Sequence, residues 1–68
     1  MKQVVILEAQ REGYTVAQCR TVTVRELIEA LEQFDQDLEI FLSHDYGYTY
    51  GGIHTEDLDI KSFDEEEL

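Results

Sequence analysis

The sequence contains no proline, one cysteine, four glycines and only five basic residues among its 68. A single cysteine, Cys19, excludes an internal disulfide framework and fits a reducing compartment. The strongly apolar run near the start, residues 4–7, is four residues long, too short for a membrane span or a signal-peptide core. The scarcity of lysine and arginine is the most informative absence. Affinity for phosphates rests on clustered basic side chains, so direct binding to nucleic acid or to an anionic membrane is disfavoured. With no linker, no repeat and no proline, the chain reads as a single domain over residues 1–68, soluble and cytoplasmic.

Carboxylates are what the chain has in abundance. Sixteen acidic residues set the net charge at −11. Residues 1–34 carry four basic and five acidic groups, a net of −1, whereas residues 35–68 carry one basic and eleven acidic groups, a net of −10. Self-repulsion on this scale opposes compaction and exceeds what solubility asks for. A basic partner is the natural complement. The 43% hydrophobic content still belongs to a folding chain rather than an acidic disordered tail. A chain of this length buries about 60% of its unfolded surface, which leaves a small margin of stability.

Local patterns predict the elements. Residues 4–7 (VVIL) are apolar on both parities, as expected of a strand covered on both faces and central in a sheet. Residues 14–22 read as a weaker extended segment. Residues 23–34 carry Val24, Leu27, Ile28, Leu31 and Phe34 at helical spacing, with Thr23 and Glu26 as a capping box. Residues 38–43 alternate as a strand, residues 44–47 turn, and residues 48–53 return as the second arm of a hairpin. Residues 57–61 alternate again, with Leu58 and Ile60 on one parity, and residues 64–68 read as a frayed acidic tail. The expected fold is α+β: a small, largely antiparallel sheet of about four strands with one amphipathic helix, about 23–34, packed on one face. One helix covers one face only. Phe41, with one parity of the first strand, is then left on a bare face of the kind that marks an interface.

Catalysis and metal binding are the weaker readings. His44, Asp45, His54, Glu56 and Asp57 are nitrogen and oxygen donors, but no recognised ligand spacing joins them. Cys19 with a histidine supplies the residue types of a nucleophilic pair, yet so short a chain has little volume for a cleft. The chain is therefore read as a non-enzyme without cofactor. The stretch "SHDYGYTYGG" (residues 43–52) offers aromatic anchors instead: Tyr46, Tyr48 and Tyr50, with Tyr48 and Tyr50 sharing one strand face. Tyrosine combines large contact area, low entropy loss and a hydroxyl, which suits an interface. Sheet packing against Phe41 or Ile40 is the alternative. Alternate carboxylates, Asp35, Asp37 and Glu39, then Asp57 and Asp59, would form rows of about 6.6 Å spacing on strands. Such rows imitate the charge of a nucleic-acid backbone. The expected partner-binding set is thus Asp37, Glu39, Asp45, Tyr46, Tyr48, Tyr50, Glu56, Asp57 and Asp59.

The segments "REGYTVAQC" and "TVRELIEALEQFDQDLEIFLSHDYGYTYGGI", within residues 11–53, resemble small proteins encoded by phages and mobile elements of Gram-positive and gut bacteria. "SHDYGYTYGGI" is the more specific part. The resemblance implies an anti-defence inhibitor, anti-CRISPR proteins among them, that binds a host nuclease and blocks its nucleic-acid site. It implies no catalytic residues. The alternative is a small structural or assembly module that homodimerises through the open sheet face or an edge strand.

Overall fold

The computed structural model describes residues 1–68 and contains a three-stranded sheet, one α-helix and short 3-10 turns. Strand β1 (Val5–Ala9) runs parallel to β2 (Ile40–His44), which pairs antiparallel with β3 (Thr49–Gly52), in the order β1-β2-β3. The sheet is therefore mixed, with three strands rather than about four. Strand β1 lies at an edge, and β2 is central. The long connection from β1 to β2 allows this parallel crossover, and helix α1 (Val24–Leu31) lies within it.

Helix α1 begins where its capping box predicts. Thr23 Oγ1 accepts from Glu26 N–H at 3.2 Å, and Glu26 Oε1 accepts from Thr23 N–H at 3.1 Å and from its hydroxyl at 3.0 Å. The helix ends three residues earlier than expected. After Leu31 the bonds tighten to i, i+3, and the Gln36 amide donates to Leu31 O and Phe34 O at 3.1 and 3.0 Å. A side chain beyond the helix thus caps carbonyls that neither glycine nor proline terminates. Hydrogen bonds from the Thr23 backbone and then its hydroxyl hold the Glu26 carboxyl below its ordinary value. A lowered folded value contributes stability above the ordinary glutamate range, and that contribution is lost as pH falls through the lowered value. Thr23→Ala should cost about 1 kcal/mol near neutrality, the usual loss of an N-cap. The gap to wild type should narrow in acid, read from urea denaturation followed by far-UV circular dichroism.

Two segments that alternate like strands take other forms. In residues 14–19 the Gln18 side chain accepts from Tyr14 N–H at 2.7 Å, and Cys19 N–H bonds Val16 O at 3.0 Å, giving a 3-10 turn over Val16–Gln18. Local side-chain bonds there replace a ladder. In residues 54–60, Asp57 N–H bonds His54 O at 3.0 Å, Leu58 N–H bonds Thr55 O at 3.2 Å, and Asp59 Oδ1 takes Ile60 N–H at 2.8 Å. Residues 57–61 join no sheet. The stretch read as frayed holds a 3-10 turn at Glu65–Glu67.

Register assigns the faces. Val5, Leu7, Ile40, Leu42 and Gly51 share one side; Ile6, Glu8, Phe41, Ser43, Tyr50 and Gly52 share the other. The helix meets the first side at its C-terminal end, where Val5, Leu31, Phe34, Leu38 and Ile40 surround a small hollow. Leu31 alone in the helix is half-buried; Val24, at the other end, is 77% exposed. Packing is sparse throughout, and Ser43 is the single buried residue. The accessible surface is 6856 Å², where a compact monomer of 7.9 kDa exposes about 4,400 Å². The radius of gyration, 14.1 Å, likewise exceeds the roughly 11 Å of a compact chain this long.

Candidate binding surface

The β2–β3 turn organises the aromatic part of the expected site. His44 pairs with Thr49, and Tyr48 N–H donates to His44 O at 3.0 Å, closing a loop over residues 45–48. Three consecutive residues have positive φ: Asp45 at 51°, Tyr46 at 56° and Gly47 at 94°. Aspartate and glycine accept this region readily, whereas a bulky tyrosine does so at a cost of roughly 1–2 kcal/mol. Glu8 on β1 offsets that cost, its Oε2 accepting from Tyr46 N–H at 3.0 Å across 38 residues of sequence. The bond fixes the turn against the neighbouring strand and leaves the Tyr46 ring 87% exposed. Strain of this kind, held by a specific contact and presenting an aromatic ring to solvent, is a feature of binding sites. Glu8 carries no local signal of this role, and sequence reasoning missed it.

The other tyrosines separate. Tyr48 belongs to the turn and is 84% exposed, because β3 begins only at Thr49. Tyr50 lies in the strand on the side without the helix, alongside Ile6 and Phe41, and its cross-strand partner is Ser43, not Phe41 or Ile40. Its hydroxyl reaches back over the turn, so a Cβ added at Gly47 would stand 3.1 Å from it. All three rings are thus accessible around one end of the sheet. Glu8, Asp45 and Arg11 edge the same region, lining a shallow hollow with Tyr46.

The carboxylates do not form the expected rows. Strand β2 starts at Ile40, so Asp35 and Asp37 occupy a preceding turn in which Asp35 Oδ1 accepts from Asp37 N–H at 3.0 Å. Glu39 is paired with Lys2. Both lie at the far end of β2 from the tyrosines, about 13 Å along the strand. Asp57 ends a 3-10 turn, Asp59 is in irregular chain, and Glu56 approaches His54 Nδ1 at 3.9 Å. The nine expected residues therefore divide into a hairpin group, a trailing acidic group and a distant pair. A regular carboxylate ladder survives only on the helix, where Glu29 and Glu32 remain exposed beside Arg25.

No three His, Cys, Asp or Glu side chains converge as metal ligands do. The largest hollow, between residues 14–17 and the segment carrying Lys61 and Phe63, is an open surface with Tyr14 fully exposed, and it lies apart from the hairpin. No helix is long and apolar enough to cross a membrane. No protein family, curated protein or solved structure matches this chain.

Proposed function

We propose that this chain is a non-enzymatic inhibitor from a phage or mobile element that acts in the bacterial cytoplasm. It binds the basic nucleic-acid site of a host defence complex, such as a CRISPR nuclease. The observation that carries the reading is uncompensated charge. Against sixteen carboxylates, the one ion pair formed by a lysine or arginine is Lys2–Glu39. The remaining acids have no such partner within the chain, and a basic groove would supply one. The strained turn supports the reading: it leaves Tyr46 exposed beside Asp45, with Tyr48 and Tyr50 also exposed, as an aromatic anchor would be. Charge imitation then comes from an acidic surface and the helical Glu29 and Glu32, not from strand rows.

The test is competition. The protein is titrated into guide-loaded nucleases of Gram-positive hosts, before or after DNA is added, and DNA binding is followed by anisotropy. Inhibition is expected when the protein comes first and much less once DNA occupies the groove. Equal inhibition in either order, or none with any nuclease tried, contradicts the proposal.

A further inference from the structure

We propose that residues 57–61 act as an intermolecular strand, adding to the free edge of β1 in a second copy of the chain. Three observations combine. The segment has the alternation of a half-buried strand, Leu58 and Ile60 on one parity and Asp57, Asp59 and Lys61 on the other. Within one copy that pattern is unused: Leu58 is 74% and Ile60 92% exposed, and neither belongs to a sheet. Meanwhile β1 is an edge strand with an unpaired row of backbone groups, and Val4, Ile6 and Leu7 beside it are exposed.

The occupant follows from reach, side-chain surface and area. To lie beyond its own β1, the segment would travel from β3 across three strand spacings, about 14 Å, over the sheet. Only residues 53–56 are available to make that crossing, a span of about 17 Å when fully extended, which leaves almost no slack to pass over the sheet. A second copy meets no such constraint, and reciprocal exchange gives a closed two-fold pair. The β1 edge suits Leu58 and Ile60 better than the β3 edge does. It carries the exposed Ile6 and Leu7, whereas β3 ends in Gly51 and Gly52, which offer little side-chain surface. The area is also sufficient. One copy exposes about 2,400 Å² more than a compact monomer. Covering half of that excess on each copy reaches the 2,000 Å² and more of obligate homodimers. Strand addition exchanges the local bonds of the Asp57, Leu58 and Ile60 N–H groups for ladder bonds, and Leu58 and Ile60 supply the apolar cover.

The experiment is sedimentation equilibrium with hydrogen exchange on the full chain. Wild type at tens of micromolar should have twice the 7.9 kDa chain mass and protected β1 amides. The double variant Leu58→Asp/Ile60→Asp should be monomeric, weakened at least tenfold in association. Its circular dichroism should match that of wild type diluted to monomer, since both side chains are exposed in the single copy. Added salt should tighten the pair by screening like charge, the opposite of its effect on a basic partner, so failure here and failure of the inhibitor reading are distinguishable. A wild-type monomer, a dimer indifferent to the double variant, or protection falling on β3 instead of β1 each overturns the proposal.

Discussion

Reversing Asp57 and Asp59 to lysine is expected to weaken binding to a basic partner by ten- to a hundredfold. Each reversal adds two positive charges, so the net charge moves from −11 to −7. Both side chains are exposed, so the substitutions alter the field without leaving a buried group unpartnered. Two attractive contacts become repulsive, and at about 1 kcal/mol per reversed surface charge the change is roughly 1.5–2.5 kcal/mol. Much of it should appear in the association rate, because an acidic surface steers encounter with a basic groove. Stability should rise slightly in the same variant, since self-repulsion falls. Binding to the guide-loaded nuclease, measured by stopped-flow at low salt, checks the first effect. Unchanged association would show that this acidic segment is a solvated surface only.

Leu42→Ala is expected to unfold much of the population at 37 °C. Leu42 occupies the central strand, flanked by Leu7 and Gly51 on the side the helix partly covers. It is half-buried, so truncation should cost about 2–3 kcal/mol, toward the lower end of the range for core leucines. In a well-packed protein that loss would be tolerated. Here the total is about 3–5 kcal/mol for a chain this small, and the exposed apolar surface argues for the lower figure. Val24→Ser, at an exposed helix position, should change stability by no more than about 0.5 kcal/mol. Urea denaturation of the two variants side by side gives the contrast. Similar losses in both would mean that the helix face is packed in solution.

What was legible in the sequence was local. Thr23 and Glu26 announced the helix start through a contact three residues apart, and Asp45 and Gly47 announced a tight turn between apolar runs. Non-local pairings left no such mark. Glu8 with Tyr46, and Lys2 with Glu39, join residues 38 and 37 positions apart. The parallel register of β1 on β2 likewise depends on how a 30-residue connection closes. The helix ended early because the Gln36 side chain caps it, a role that no spacing rule assigns to glutamine. Positive φ at Tyr46 was illegible for a related reason: tyrosine is an unfavourable residue there, and the Glu8 carboxylate that accepts its N–H comes from another strand. Residues 57–61 were misread as part of the chain's own sheet. Alternation reports that a segment suits an edge but not which molecule provides that edge.

The candidate site shows the same division. The hairpin tyrosines could be located from sequence because alternation and turn residues bracket them, whereas the exposure of all three rings required the fold. Their grouping with Glu8 and Arg11, and the removal of Asp37 and Glu39 to the opposite end of β2, required the fold. Acidity itself needed no structure, although its lack of internal compensation did.

The most direct measurement is the dissociation constant of the protein from the guide-loaded nuclease proposed as its partner, across ionic strengths from about 50 to 300 mM, where the Debye length falls from roughly 14 to 6 Å. If uncompensated carboxylates drive binding, affinity should fall steeply and continuously over that range, by more than tenfold. A constant affinity across the same range would contradict the claim that this chain acts through its charge.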